Sequence, residues 1–503
     1  MERFSVIIFW VIRLNDYDNL CLTGDFDRDI AVFKQIFKND DMLRIRTATL
    51  GDSKIKVGFV FFDGMADNIS IDDSLVRPCI KAKAVPKSAD IDFLLKNVLY
   101  AGEISKVHKF SEILTSIING DTAIILENSI FGLTADTKGW EIRSTDEPDD
   151  ERVLQGPREG FNEAAIPNIA LIRRKLQTPD LCIESEKVGK RSKTAVYVCY
   201  LGELADKSLV EEIKNRIKKI DIDGVLDSNY IAEFIRNDRF SIFKTTGSTE
   251  RPDIVAARLL EGRVAVVVDG TPVVITFPYL FCENFQSDED YYVNYYVGSV
   301  ARILRYVCFF LSISIPGAFV ALTTYHSKLL PTEFMITVAE LRSGVPFSSV
   351  MECFLLITIF EILRETGLRT PQSLGSALSI VGGLVIGDAA ITARIVSAPM
   401  LIAVSFSGVA GLMLPRLKGA VFYLRLLFFT ASALLGLYGY MLTFICLIIY
   451  IHNTKTLGAE YTETPEKSGI KRIKDTVIRV PWFYMRERPL FNRDKIRMGN
   501  DIK

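Results

Sequence analysis

The chain is poor in the residues that most chemistry needs. It holds three histidines and three tryptophans in 503 residues. His108, His326 and His452 lie far apart, and none sits beside cysteine at a zinc-like spacing. No P-loop, G-x-S-x-G or H-E-x-x-H pattern occurs. An enzyme is therefore not expected, and neither is a cofactor or a metal. The eight cysteines form no C-x-x-C pair. They read as reduced thiols used as small apolar residues, not as a disulfide framework. A net charge of -1 argues neither for nor against a nucleic-acid partner, and none is expected.

What the chain does have is a strong asymmetry. Hydrophobic residues make up 49% of it and the mean hydropathy is +0.22. Charge is dense from Asp16 to Arg302 and sparse from Tyr306 to His452. A soluble region followed by membrane helices fits that division. Lys56 to Phe62, Asp121 to Leu126, Thr194 to Tyr200 and Ala265 to Asp269 read as short buried strands ended by turn residues. Ile91 to Leu99, His108 to Ile118, Asn162 to Leu176, Ser208 to Ile217 and Tyr230 to Ile235 carry helical apolar spacing. The expected fold is an α/β soluble N-terminal region of two subdomains, then an all-α polytopic membrane domain. The subdomains span residues 1–145 and 146–300, joined by the polar connector Ser144 to Gly160. The membrane domain spans 301–452, and a basic cytoplasmic tail runs over 453–503. The apolar stretch Ser5 to Ile12 reads as a buried strand or amphipathic contact, not as a signal peptide.

Four uncharged or nearly uncharged runs suggest about four membrane spans: Tyr306 to Thr324, Ser373 to Arg394, Ile395 to Leu414 and Leu426 to Ile451. Val350 to Leu363 is shorter and carries Glu352 and Glu361; it reads first as an amphipathic or re-entrant helix and second as a span. The tail after His452 holds twelve Lys/Arg against seven Asp/Glu. Both ends are therefore placed in the cytoplasm. Four spans would put Arg416 and Lys418 on the opposite side.

Several words occur in a specific order. They are FDGMAD (62–67), Glu147-Pro148, GPREGF (156–161), NIALIRR (168–174), DIDGVLD (221–227), TERPD (249–253) and EGRVAVVVDGTP (261–272). DYY (290–292), RILRY (302–306), GVPF (344–347), EILRETGLR (361–369), IVGGLVIGDAA (380–390), RVPW (479–482) and Arg488-Pro489 continue the series. Together they resemble the A subunits of GerA-type spore germination receptors, over about residues 20 to 490. The family more often has Gln at the place of Asp388. Its Ser-Phe-Gly-x-Pro-Tyr pattern is degraded here to Leu457-Gly458-Ala459-Glu460-Tyr461. The resemblance implies a non-enzymatic subunit of a nutrient receptor in the spore inner membrane, with its soluble domain facing the cytoplasm or spore core. It implies a homo-oligomer, a pentamer, that forms an ion channel with a transporter-like B subunit and a lipoprotein C subunit in the lipid bilayer. The alternative is the paralogous accessory protein of the dipicolinate channel.

Charge inside apolar helices is costly and usually faces a cavity, a pore or a partner charge. Glu352, Glu361 and Asp388 are thus candidate ion-path residues. Glu352 and Glu361 lie about 180° apart on an ideal helix, so only one of them can face a given pore. The structural alternative is an ion pair of Asp388 with Arg394 or Arg425. Gly375, Ser379, Gly383 and Gly387 form a small-residue stripe suited to helix packing. Pro316 marks a kink and Pro346 a helix start. Arg158, Glu159, Arg173, Arg174, Glu250 and Arg251 read as salt-bridged connectors between subdomains or subunits. Asp221, Asp223 and Asp227 lack the spacing of an EF-hand loop and read as a turn and helix cap.

Overall fold

A computed structural model describes residues 20–53, 55–83, 91–139, 151, 155–369, 387–463 and 474–485. The apolar stretch Ser5 to Ile12, the words Glu147-Pro148 and Arg488-Pro489, and the small-residue stripe up to Gly383 lie outside these residues.

The soluble region is built on two five-stranded sheets. The first contains β1 (Leu43–Thr49), β2 (Lys56–Phe62), β3 (Ile104–Val107), β4 (Thr122–Leu126) and β5 (Gly132–Ala135), in the order β1-β2-β4-β5-β3. The second contains β6 (Leu181–Val188), β7 (Thr194–Leu201), β8 (Gly247–Thr249), β9 (Val264–Val268) and β10 (Val274–Phe277), in the order β6-β7-β9-β10-β8. Every pairing is antiparallel. The two orders are the same topology used twice. The strand before each inner apolar strand is followed by a helix in both copies: α5 (Phe110–Ile118) before β4 and α9 (Pro252–Leu260) before β9. The strands read from short apolar runs are those buried on both faces, as in β4 and β9, where every residue is buried.

Helices α1 (Phe26–Ile36), α2 (Asn68–Ser70), α3 (Arg77–Lys81) and α4 (Ile91–Asn97) complete the first half; α6 (Ala165–Lys175), α7 (Lys207–Lys218) and α8 (Ser228–Ile235) belong to the second. One apolar core joins the halves. Phe33, Phe62, Phe110 and Ile117 pack in the same cluster as Ile172, Leu181, Leu259 and Val267. Backbone bonds also cross: Asp41 N–H donates to Ile183 O (2.9 Å) and Ile183 N–H to Asn39 O (3.0 Å). The DIDGVLD word is a turn and cap. Asp227 accepts from Asn229 N–H and from the Thr271 hydroxyl, and Asp221 pairs with Lys190 at 2.7 Å. All eight cysteines are free thiols.

The helical region holds α10 (Tyr295–Val320), α11 (Thr332–Leu341), α12 (Ser349–Arg369), α13 (Ala398–Leu412) and α14 (Lys418–Asn453). Among the described residues, two stretches are long and apolar enough to cross a membrane, Tyr295–Tyr325 and Pro415–Asn453; Ala398–Leu412 is shorter. The segment around Val350 to Leu363 is a continuous helix from Ser349 to Arg369.

The last apolar run is not a single rod. Gly436 has φ 61° and ψ -140° inside α14, a backbone state that glycine adopts without a side-chain clash. The chain reverses there. The Phe428 and Tyr440 rings lie 5.4 Å apart, against about 18 Å for twelve residues of straight helix. Residues 418–435 and 437–453 are thus two arms of about 26 Å each, close to an apolar layer of about 30 Å. The hairpin tip meets the far end of α10, where the Tyr325 hydroxyl donates to Ala433 O. Both hairpin bases meet the soluble region. Arg416 donates to Glu283 O and Gln286 O (3.2 and 3.0 Å). Tyr450 packs against Phe243, and the Thr456 hydroxyl donates to Thr245 O (2.8 Å).

This corrects the four-run reading at one point. Arg416 lies against the soluble region, not on the side opposite to it, because the fourth run goes out and back. A cysteine placed at Gly419, where an added side chain meets open space, should react with an impermeant thiol reagent from the side that carries the soluble region. Reaction confined to the other side would invert the hairpin.

Candidate functional site

Two charged assemblies sit where the sequence places unusual charge. The first lies inside the apolar bundle and starts from Pro316. Proline has no N–H, so the carbonyl four residues earlier, Ser312 O, loses its helical donor. Two side chains replace it. The Ser407 hydroxyl of α13 donates at 2.7 Å, and Arg425 Nε of α14 donates at 3.0 Å. Arg425 also donates through Nη2 to Ser407 O at 3.1 Å. Its side chain is 1% exposed, and Gly411 leaves the room it needs: a Cβ there would stand 3.1 Å from Nη2. One guanidinium thus ties α10, α13 and α14 through backbone oxygens, and the ring of Phe360 in α12 lies 5.9 Å from its carbon.

The candidate ion-path residues do not converge. Glu352 is fully buried and accepts from the backbone N–H and hydroxyl of Ser397 (2.6 and 2.5 Å). Ser397 is the N-cap of α13, so this carboxylate sits at a helix N-terminus, where a negative charge is favoured. Arg342 approaches its other oxygen at 3.6 Å. Glu361 ion-pairs with Arg364 at 2.5 Å. Asp388 is exposed. The proposed pairing of Asp388 with Arg394 or Arg425 is not formed. Arg394 lies beside Gly344, and Arg425 is held by the two carbonyls. Arg425 takes a backbone oxygen in place of the expected carboxylate, and an orphaned backbone oxygen, unlike a carboxylate, is not a residue type. The signal was present in Pro316, whose missing N–H identifies Ser312 O.

The second assembly joins the soluble region to the bundle. α10 starts at Tyr295 under the cap Asn294, and its first turns carry Arg302 and Arg305. Asp290, 2% exposed, accepts from Arg302 Nε at 3.3 Å and from Arg305 at 2.8 and 2.9 Å. The tail returns here. Asp475 accepts from Arg302 at 3.1 Å and from the Tyr291 hydroxyl at 2.9 Å, and burial pushes its carboxyl above the usual range despite Arg302. The RVPW word follows: Arg479 donates to Tyr291 O, and Trp482 packs on the Tyr291 ring at 5.8 Å. This part of the tail is therefore docked on the soluble region. Arg416 pairs with Asp288 at 2.9 Å. Between these groups and α9 lies a cavity of about 370 Å³, lined by Arg258, Arg263, Glu283 and Trp482 among others.

The connector residues fall into separate contacts. Arg173 is 1% exposed, pairs with Asp40 of the first half and stacks over Phe62 at 4.0 Å. Burial raises the Asp40 carboxyl above its usual value while Arg173 opposes the rise. Arg174 pairs with Glu159, which Lys175 also reaches at 3.2 Å. Arg251 forms a fork on Asp253 (3.1 and 2.6 Å), and the Tyr292 hydroxyl donates to the same carboxylate. Burial raises the Asp253 carboxyl, but these bonds outweigh it and hold it below the usual range. Glu250 accepts from Phe161 N–H through its backbone oxygen at 2.7 Å. Arg158 is exposed. Among the described residues, no His/Cys/Asp/Glu cluster suits a metal ion.

Fold and site together define a two-part protein, a doubled α/β platform clamped by ion pairs to an apolar helical bundle. The family model of the Bacillus/Clostridium GerA spore germination protein matches residues 31–491, and the chain belongs to that family. It is 36% identical over 473 residues to spore germination protein KA of Bacillus subtilis (strain 168), covering 93% of this chain and 87% of that protein. It is 35% identical to spore germination protein B1 of the same organism, covering 95% and 99%. It is also 38% identical to the uncharacterized membrane protein YfkQ of that organism, covering 86% and 84%. Among solved structures, the N-terminal domain of the A subunit of the Bacillus megaterium spore germinant receptor GerK3 is 29% identical, covering 52% of this chain and 97% of that one, with a TM-score of 0.39.

The Pro316–Arg425 relation is testable by a double-mutant cycle on the thermal stability of the full-length protein in detergent. Pro316→Ala returns a helical donor to Ser312 O. Whatever Arg425→Gln costs in the native chain, it should cost about 1 kcal/mol less in the Pro316→Ala background. Equal costs would mean that the carbonyl does not hold the guanidinium.

Proposed function

We propose that this chain is the A-type subunit of a nutrient germinant receptor and supplies an ion path in the spore inner membrane. In this reading several copies, a pentamer, assemble with a transporter-like B subunit and a lipoprotein C subunit. The observation that carries it is the near end-to-end match to spore germination proteins. The apolar helices support the membrane reading, as do the polar groups buried among them: Glu352, Arg425 and the Ser312 carbonyl are each given a partner inside the bundle. The soluble region, both bases of the α14 hairpin and the docked tail then share the core side of the membrane.

Within this reading the two α12 carboxylates part company. Glu352 is a structural cap of α13, whereas Glu361 is the candidate ion-path residue. Deletion of the gene should abolish germination by at least one nutrient in a screen of L-amino acids, sugars and nucleosides. Glu361→Gln should slow cation release while the protein reaches its normal level. Glu352→Ala leaves the Ser397 N–H and hydroxyl unpaired, at about 1–3 kcal/mol each, and should lower the amount of protein in the membrane. A deletion strain that responds normally to every nutrient would refute the receptor reading.

A further inference from the structure

We propose that the face of α10 that stands just outside the membrane, Tyr296 to Leu304, is a docking surface for a second copy of this chain. The inference rests on the membrane placement and the several copies of the reading above, and it names where neighbouring copies meet.

The bundle sets the height of this face. The far end of α10 is level with the tip of the α14 hairpin, where the Tyr325 hydroxyl donates to Ala433 O, and the exposed Lys328 follows beyond it. An apolar layer of about 30 Å reaches back along α10 by about 20 residues, to about residue 305. The hairpin gives the same edge: Leu417 and Ala420, at the base of its first arm, pack in one cluster with Phe309 of α10. The turns before residue 305 therefore stand outside the apolar layer, by up to about 14 Å at Tyr296. Their inner side agrees with this height. Arg302 and Arg305 hold Asp290, and Arg302 also holds Asp475, a charged network that belongs on the aqueous side.

The outer side of the same turns is apolar and uncovered. Tyr296, Val300, Ile303 and Leu304 follow the spacing of one helix face, and Val297 borders it. Tyr296, Val297 and Val300 are 67%, 61% and 66% exposed, and Ile303 and Leu304 are exposed as well. At this height water, not lipid, surrounds a single copy. The docked tail widens the patch. The Ser299 hydroxyl donates to Arg479 O beside these turns at 3.0 Å, and Phe483 and Tyr484, both more than half exposed, follow. Together these side chains expose about as much as four fully open ones, roughly 600–800 Å² at about 150–200 Å² each. A standard interface takes about 800 Å² from each partner, and an apolar patch of this size on a soluble surface marks an interaction site.

A second copy is the occupant that the membrane itself delivers. Copies in one membrane stand the same way up and at the same depth, so each brings its own juxtamembrane surface to the height of this band. A ring uses two different surfaces of each copy, and the chain has another near this height. Ile242 N–H donates to the Tyr450 hydroxyl at the base of the second hairpin arm (3.0 Å), and Phe240, two residues before it, is 94% exposed.

The test uses the full-length chain in membranes of spores that carry its partner subunits. With the photoreactive amino acid p-benzoylphenylalanine in place of Val300, illumination should give an adduct of twice the mass of the chain. An adduct to lipid, to a protein of another mass or within one chain would overturn the docking surface, and so would the absence of any adduct. A second measurement uses a strain with two differently tagged copies of the gene. Val300→Arg in both copies should cut the capture of one tag through the other about tenfold in mild detergent. The amount of protein in the membrane should stay the same, because this position stands outside the apolar layer. Unchanged capture would overturn the surface, and so would a loss of the protein from the membrane, which would place Val300 in lipid. If the adduct of twice the mass forms while the deletion strain responds normally to every nutrient, the surface stands and the receptor reading falls. An adduct to lipid removes the surface and leaves the receptor reading as it was.

Discussion

Inside an apolar layer every backbone polar group must find a partner within the protein. Pro316 breaks that rule at Ser312, and much of the bundle is arranged around the repair. The Ser407 hydroxyl and the Arg425 guanidinium converge on one carbonyl oxygen. To bring them there, α13 and the first arm of α14 must cross α10 at this level, so a missing N–H fixes the relative height of three helices. Gly317, the next residue after Pro316, lets α14 come close: a Cβ there would stand 2.9 Å from Phe428 O. Arginine suits the task because its fork reaches two carbonyls at once. A lysine would present one compact charge and span neither the distance nor the geometry.

The same helix carries the load between the two halves of the molecule. α10 starts in the soluble region and runs without interruption into the bundle, and Asp290 grips it through Arg302 and Arg305. The stacked pair Phe285 and Tyr306, 4.0 Å between centroids, follows one turn later. The hairpin is anchored beside it at both bases, by Arg416 on Asp288 and by the short strands β11 (Lys455–Thr456) and β12 (Ala459–Glu460), which bring Tyr461 into the aromatic cluster of Phe243 and Phe281. The two pairs on Asp290 hold a buried carboxylate, an arrangement that loses much when either partner is removed.

Much of the soluble fold was legible because its inner strands are short apolar runs between turn residues. β2, β4, β7 and β9 lie within a residue or two of where those runs fall. The amphipathic helices α5 to α8 follow their apolar spacing to within three residues, α6 starting at Ala165 where Asn162 was expected. The doubled topology was not legible, since β3, β5, β8 and β10 are three or four residues each and carry too little pattern to find. The hairpin was misread for a different reason. Nothing in Leu426 to Ile451 interrupts the apolar run, and Gly436 is one of its two glycines. Length was the available signal. A helix from Lys418 to Asn453 would extend about 54 Å, far beyond an apolar layer of about 30 Å. Among the site residues, the charges were visible but not their roles. Glu352 serves a helix end, and Arg425 serves a carbonyl.

These pieces make a mechanical connection between platform and bundle. Arg416, held at the soluble region, and Arg425, held in the bundle, are nine residues apart on one stretch of chain, about 14 Å if helical. A helix of that length is stiff, so a displacement of Asp288 or of the loop around Glu283 is delivered to Arg425 with little loss. α10 carries a parallel displacement from Asp290 to Ser312. Because both lines end on the two sides of the same hydrogen bond, a tilt of the platform that moves them together leaves the bond intact. A motion that moves one against the other stretches it. The cavity of about 370 Å³ lies between the anchors of the two lines, walled by Asp288 and Arg416 on one and by Asp475, the partner of Arg302, on the other. Relative motion of the two lines must therefore change its shape, and the docked tail residues Asp475 and Trp482 must move with it.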